Sequence, residues 1–351
     1  MEIKKTFNLR VSTSKIGQII KSSESNSSIR IHEGGIFDAN TISSGSGYLH
    51  FTKPVKDIYA WLRKNFIQEF FLERTFSLGD LLLLIPVYRA FVRDGFRPYI
   101  RTRGQYVELL SKLEVSCESV DVHKTPETPG VFLDYVVERD HTDPKLQKIH
   151  RTKIYHDFMG VPYIEKELDW GFKLENFPEV SWDDKPYIIF QGRGAVDRRG
   201  LSTTVIQDLI YFMNLEGVRV LYIGESLPML KGIDDLTRFQ FMNSTLPELF
   251  SWIAGAKMLI TMDSSPLWIS HYTNTPTVAI LGPSRPEERL SLHPLYPEQA
   301  NAIRLNTWIN CESCFEQSQK CNHTFKCLKN VNTDVLYKEL RKELMKYWEL
   351  G

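Results

Sequence analysis

The sequence has no excess of either charge: Lys and Arg total 43, and so do Asp and Glu. A chain that coats nucleic acid or an anionic membrane usually carries a clear positive balance. That class is disfavoured, although a local basic patch stays open. A long apolar run is also missing. The longest, Leu81 to Val87, falls far short of the ~20 residues that cross a bilayer. Met1 to Asn8 holds no apolar stretch of the kind a secretory leader needs. These absences predict a cytoplasmic protein with no transmembrane segment. There is no low-complexity tail and no internal sequence repeat. No Asp-x-Asp pair, a common metal-holding pattern, occurs in the sequence.

Cysteine is scarce outside one stretch. Of five cysteines, Cys117 stands alone and reads as a small buried apolar residue. Cys311, Cys314, Cys321 and Cys327 are spaced C-x2-C-x6-C-x5-C, with His323 between the last two. In a cytoplasmic chain such clustering favours a metal over disulfides. Four thiolates make a closed tetrahedral site for zinc or iron. Free thiols or a redox pair are the alternatives, and His323 is a reserve ligand.

What is present suggests two domains. The chain has 351 residues, 42% apolar and 25% charged, an ordinary globular balance with length for two cores. Residues 1–66 carry three β-like runs, near Phe7, Ile29 and Gly47, separated by Ser- and Gly-rich stretches, and predict a small β-rich N-terminal extension. A helix over Asp57 to Asn65 closes it. From 67 to 178 strands and helices alternate. Strands are expected at 70–76, Tyr99 to Thr102 and Val131 to Val137, with helices at Asp80 to Arg93, Tyr106 to Lys112 and Lys145 to Met159. A second series runs from 179 to 332. It has strands at Tyr187 to Phe190, Val218 to Gly224, Met258 to Met262 and Thr277 to Leu281, and a helix at Thr203 to Met213. Such alternation predicts an α/β fold with parallel sheets. The Cys stretch, 308–331, belongs to this second domain. An amphipathic helix fills much of 333–351.

Three motifs concentrate the chemistry. Ile260-Thr-Met-Asp263-Ser264-Ser265-Pro266 is an apolar strand running into a tight turn and a helix. Parallel sheets bind phosphate there, because the helix N-terminus presents free N–H groups and partial positive charge. Ser264 as a simple N-cap is the plainer alternative. Gly79-Asp80 opens a second helix, with Asp80 in its first turn, where a helix-dipole carboxylate is the common role. Gln191-Gly192-Arg193-Gly194 through Asp197-Arg198-Arg199-Gly200 follows the first strand of the second domain. It is either a phosphate-binding loop or a solvated basic loop.

The Gly79-Asp80-Leu-Leu…Pro86 segment, Ala254-Gly255-Ala256-Lys257…Asp263-Ser264 and Thr275-Pro276…Gly282-Pro283 follow one another in the order of glycosyltransferase family 9. The chain resembles these ADP-heptose heptosyltransferases over roughly residues 68 to 345. The resemblance implies a GT-B fold, two Rossmann-like domains facing a cleft, with the last helix returning to the first domain. It implies an inverting, metal-independent transfer of a sugar from a nucleotide-sugar donor, ADP-heptose favoured, to an acceptor hydroxyl on a protein or glycan. Asp80 matches the family's general base. Gly192, Arg193, Arg198 and Arg199 match the phosphate-contacting loop, with Arg198 at or beside the family's Lys. Gly224-Glu225 matches a ribose-binding acidic position. Asp263 and Ser264 match the pair that holds the donor. The family continues Gly-x-x-His there, whereas this sequence has Ser265 and Trp268. Trp268 could stack on a sugar or base but lacks the two ring nitrogens of His. His271, one turn on, reads as a packed helix histidine. The β-rich extension and Cys cluster look most like the autotransporter heptosyltransferases, which modify protein Ser hydroxyls and carry an iron-binding finger. Lipopolysaccharide-core heptosyltransferases come next. A phage-type enzyme acting on a modified DNA base and a non-catalytic nucleotide-binding protein are the other readings. An oligomer is compatible with all of these.

The Cys cluster yields a direct prediction. Protein purified without added metal should carry about one equivalent of zinc or iron by elemental analysis. Less than about a tenth of an equivalent, with Cys→Ser variants equally stable, would contradict the site.

Overall fold

The computed structural model describes residues 19–21, 28–30 and 57–348. The last range lacks 76, 122–129, 134–135, 138–145, 147–148, 165–167, 169, 183–184, 195–199, 225–236, 241–243, 312–313, 315–320 and 322–325. Two units emerge, Met1–Arg139 with Arg151–Asp169, and Asp140–His150 with Trp170–Gly351. In the first 56 residues the described strands are β1 (Ile19–Lys21) and β2 (Ser28–Arg30), an antiparallel pair. The β-like runs near Phe7 and Gly47 lie outside the described residues.

The first unit continues with α1 (Ile58–Lys64), β3 (Glu69–Glu73), α2 (Leu78–Arg93) and β4 (Arg97–Thr102). α3 (Gly104–Lys112), β5 (Cys117–Ser119), β6 (Gly130–Phe132) and α4 (Arg151–Met159) complete it. The sheet order is β5-β4-β3-β6, and all pairs are parallel. Phe70, Phe71 and Leu72 are all buried, the continuous apolar run of a strand covered on both faces. α2 is buried almost all round, as an interior helix should be. Gly130 pairs with Phe71, and a Cβ there would stand 1.9 Å from the Phe71 ring. Only glycine lets β6 approach β3 so closely. Two expected elements are shorter than the sequence pattern. The helix after Lys145 starts at Arg151, and the strand at Val131 ends at Phe132, with Leu133 N–H bonded to Glu73 O at 2.8 Å.

The second unit holds β7 (Ile188–Gln191), α5 (Thr203–Leu215), β8 (Val220–Ile223), β9 (Thr237–Gln240) and α6 (Leu246–Gly255). β10 (Met258–Met262), α7 (Ser265–Thr273), β11 (Thr277–Leu281), α8 (Pro286–Arg289) and β12 (Ala300–Arg304) follow. The chain ends with α9 (Lys326–Lys329) and α10 (Thr333–Leu344). Six strands form one parallel sheet, β12-β11-β10-β7-β8-β9. Alternation sorts its side chains onto two faces. Ile188, Phe190, Met258, Ile260, Met262, Val278 and Ile280 pack into one cluster with α5 and α10. Ala279 and Leu281 pack on the opposite face with Leu267 of α7.

The last helix packs within the second unit. Its Leu336, Leu340 and Leu344 are buried in the second unit's own core. Tyr337 Oη bonds Phe212 O at 3.2 Å and Arg341 Nε bonds Glu216 at 2.6 Å, both on the flank of α5. A leucine stripe spaced i, i+4, i+8 specifies that one face is buried. It does not specify the partner, and here the flank of α5 fills that place.

Candidate active site

The second sheet places its candidate residues by strand order. The chain leaves β7 toward β8 and β9, then crosses back to lay β10 on the other side of β7. Beyond the carboxyl ends of β7 and β10 the connections diverge. An open α/β sheet has its ligand crevice at such a switch point. Gln191, the last residue of β7, is the register partner of Thr261 on β10. Both lie on the face opposite α5. The Gln191 Oε1 accepts the Thr261 hydroxyl at 2.7 Å and the Ser264 hydroxyl at 2.6 Å. Ser264 is thus the N-cap residue of α7 but makes no side-chain cap. Its hydroxyl is used sideways, so the first turn of α7 keeps backbone donors uncapped by a side chain.

Asp263 is buried. Its Oδ2 accepts from the Ser284 hydroxyl, just beyond β11, and from Arg289 Nε of α8 at 2.8 Å. Arg289 is itself buried, with Glu288 at 3.7 Å and the Trp268 ring centroid at 5.8 Å. The Asp263–Ser264 turn is therefore held from both sides, by Gln191 on one strand and by Ser284 and Arg289 after another.

Trp268 is 4% exposed. It packs against the His150 ring at 5.6 Å and the His271 ring at 5.4 Å. It is a packing residue in this arrangement, not an open stacking face. His271 is the packed histidine expected, with Nδ1 3.0 Å from Leu267 O and the His293 ring at 4.8 Å. Burial pushes its pKa down to about 4, so the ring is neutral near pH 7.

The loop after β7 is partly described. A Cβ on Gly192 would fall 2.5 Å from Ile206 of α5. Its glycine is demanded by close helix–strand packing, a role distinct from approach to a phosphate. Arg193 donates to the Thr203 hydroxyl in the first turn of α5, and its carbonyl accepts from the Gln191 amide. This puts a guanidinium near the crevice edge. Ser265 is half-buried at the start of α7, and Gly224 ends β8 one strand beyond β7. Arg198, Arg199 and Glu225 lie outside the described residues.

In the first unit Asp80 sits in the first turn of α2, behind β3. Its carboxylate is buried between two guanidinium groups. Arg74 Nη2 meets Oδ2 at 2.8 Å and Arg151 Nη1 meets Oδ1 at 3.0 Å. Arg74 also donates to Leu133 O at 3.0 Å. Ser77, three residues before Asp80, has φ 61° and ψ 110°, a conformation that costs free energy for a non-glycine residue. Strain of this kind concentrates where function overrides local preference. Arg74, Arg151, Ser284 and Arg289 are residues around these candidates that the sequence reading missed, and Gln191 was named there only as the start of the loop. Motif order gave no signal for Arg74 or Arg151. A signal existed for Arg289, an Arg one short turn past the Gly282-Pro283 strand end.

The cysteines fall after β12. Cys311 is half-buried and Cys314, Cys321 and Cys327 are buried. Leu328 beside Cys327 seats on Gly282, where a Cβ would be 2.7 Å away. Burial, with Cys311 and Cys321 nearby, pushes the Cys327 thiol up to about 11. The donor set has the chemistry of a thiolate metal site. Among the described residues, no three His, Cys, Asp or Glu side chains converge as a metal requires.

No family model and no curated protein matches the sequence. Solved structures do. One is the bacterial iron-containing dodecameric glycosyltransferase TibC from enterotoxigenic E. coli H10407, with a TM-score of 0.59 and 16% identity over 85% of this chain and 78% of that one. TibC, as a dodecameric iron-containing heptosyltransferase in complex with ADP-D-beta-D-heptose, gives a TM-score of 0.59 and 14% identity over 88% and 82%. E. coli heptosyltransferase WaaC with ADP gives a TM-score of 0.55 and 11% identity over 78% and 99%. This chain therefore has the α/β fold of these heptosyltransferases, parallel sheets included. The resemblance read from the motifs holds at the level of the fold.

The Asp80 triad has a measurable consequence. Asp80→Asn leaves two buried guanidinium groups without their carboxylate, so stability should fall by about 3 kcal/mol. Urea unfolding checks this. A loss under about 0.5 kcal/mol, the size of an ordinary surface change, would show that the arginines do not depend on Asp80.

Proposed function

We propose that this chain is a glycosyltransferase moving a sugar from a nucleotide-sugar donor, ADP-heptose favoured, to an acceptor hydroxyl on a protein or glycan. The observation that carries the reading is the crevice edge at the β7–β10 switch point, in a fold shared with heptosyltransferases solved with ADP and with ADP-heptose. The first turn of α7, where Pro266 has no N–H and the Leu267 N–H goes to Ser264 O at 3.1 Å, offers the Ser265 N–H and dipole charge to a diphosphate. Ser264 adds a hydroxyl and Arg193 a cation. Arg198 and Arg199 extend the basic loop in sequence, and Glu225 is the candidate ribose contact. In this reading these groups, rather than a divalent metal, carry the charge of the departing nucleotide.

Asp80 takes the acceptor proton. The acceptor oxygen attacks the anomeric carbon, the bond to the nucleotide diphosphate breaks, and configuration inverts. Each Asp80 oxygen already accepts one guanidinium bond, so an incoming hydroxyl shares it and is oriented by Arg74 and Arg151 in turn. Trp268, enclosed beside His150 and His271, shapes the floor behind the Asp263–Ser264 turn in place of the family's histidine. The cysteines are proposed to hold a structural zinc or iron that takes no part in transfer, and assembly into an oligomer is part of the same reading. Action on a modified DNA base and a purely binding role find no favour among the structural relatives.

A thermal-shift screen with ADP-, UDP- and GDP-sugars tests the donor. ADP-heptose should give the largest shift, worth about 2.7 kcal/mol of stabilisation at a hundred times its Kd. Equal shifts for all three nucleotides, or none, would overturn the assignment.

A further inference from the structure

Gln191 joins three parts of the second unit through one amide. It closes β7, is 8% exposed, and reaches the turn before α7. The orientation of the amide follows from its neighbours. Nε2 faces the Arg193 carbonyl, which can only accept, so Oε1 faces the Thr261 and Ser264 hydroxyls. Both hydroxyls therefore donate, at 2.7 and 2.6 Å, and fill the two lone pairs of one oxygen.

A serine hydroxyl has one hydrogen to give. That of Ser264 lies on Gln191. Met262 O and the Thr261 hydroxyl both stand at 3.5 Å, beyond good hydrogen-bond length. Serine in this place ordinarily accepts an N–H of its own helix. Pro266 has none, which leaves the Leu267 N–H, and that goes to the Ser264 carbonyl at 3.1 Å. Ser264 has the extended backbone of an N-cap, φ −153° and ψ 179°, yet makes no side-chain cap among the described residues. A tertiary bond overrides the local preference, as happens where position matters for function.

Thr261 gives the arrangement a second property. It is fully buried, with Met262 O at 3.1 Å as a further acceptor. Water cannot replace its bond to Gln191. When Ser264 turns its hydrogen elsewhere, Gln191 keeps Thr261, and no buried acceptor is orphaned. The loop on the Nε2 side has anchors of its own. Leu201 N–H bonds Gly192 O at 2.9 Å, and Arg193 donates to the Thr203 hydroxyl.

Taking the crevice edge as the donor site, as in the function proposed above, we propose that Gln191 is its positioning residue. It draws the Ser264 hydroxyl out of its own helix cap and holds the hydrogen at the crevice edge. It then yields that hydrogen to a diphosphate oxygen while Thr261 keeps it satisfied. A diphosphate oxygen only accepts, so Ser264 binds it only by donating. The exchange replaces a neutral acceptor by a charged and stronger one. Gln191 acts through Ser264.

The test is ADP affinity by calorimetry in the full chain. Ser264→Ala should weaken ADP about tenfold. Gln191→Leu should weaken it by about the same factor, because the hydroxyl falls back onto its own helix. The double variant should also lose about tenfold and not about a hundredfold, since both changes remove one contact. A glutamine with only a structural role would add its loss to that of Ser264→Ala. If Gln191→Leu fails to fold, the near-isosteric Thr261→Val decides. It should weaken ADP severalfold, because Gln191 then releases Ser264 only by losing its last hydroxyl, and it should have no effect on top of Ser264→Ala. No ADP binding by the unaltered chain overturns the donor reading, and this proposal with it. ADP affinity that Ser264→Ala, Gln191→Leu or Thr261→Val leaves unchanged, or losses that add in full, overturn this proposal alone.

Discussion

A charge buried at the end of a parallel strand has to be paired, and both halves of this protein are arranged around that requirement. Removing a carboxylate from water costs several kcal/mol unless guanidinium groups and hydrogen bonds replace its hydration. Asp80 meets this with Arg74, the residue after β3, and Arg151, the first residue of α4. Arg74 reaches on to the carbonyl after β6. One carboxylate thereby ties together two strand ends and the starts of two helices. Asp263 does the same in the second unit, joining the end of β10 to Ser284 and to Arg289 of α8. Neighbouring Glu73 and Arg101, register partners on β3 and β4, repeat the pattern at 3.0 Å. Such pairs add little net stability. What they fix is geometry, since each fails badly if one partner moves.

That geometry has chemical meaning only at sheet edges where ligands can be met. The face sorting of β7 and β10 puts Gln191, Thr261 and Asp263 on the α7 side, while Gly192 turns to α5. A single glutamine oxygen then satisfies two hydroxyls, and Ser264 is drawn away from capping its own helix. The result is a helix N-terminus held from both sides but not closed by a side chain. Ser77, strained beside Asp80, indicates a similar preference for position over local comfort in the first unit.

Much of this was legible from the sequence, for identifiable reasons. Apolar runs bounded by Gly and Pro located β3, β7, β10 and β11, because a strand buried on both faces has no choice of composition. Motif order pointed to the heptosyltransferase fold. The short strands β5, β9 and β12 carry too few apolar residues to stand out. The packing of α10 on α5 was not legible, since a leucine stripe names a face and not a partner. Trp268 read as a stacking surface, but burial beside His150 depends on a segment distant in sequence. Gly192 was named for the phosphate loop, and its packing against Ile206, a tertiary contact, could not be read from the sequence. The arginines on Asp80 were invisible because their pairing is tertiary. The cysteine spacing suggested a metal site that the described residues do not assemble.

The central claim is that Asp80 accepts the proton of the acceptor hydroxyl. Its most direct measurement is turnover of ADP-heptose by Asp80→Asn, made on folded protein well below its unfolding temperature and compared with the unaltered chain. The account predicts a fall in kcat of about 10²–10⁴-fold, with donor KM changed little, because the change removes the proton acceptor and its pairing with Arg74 and Arg151 but no proposed donor contact. Equal kcat in the two proteins would contradict it and leave Asp80 a structural carboxylate.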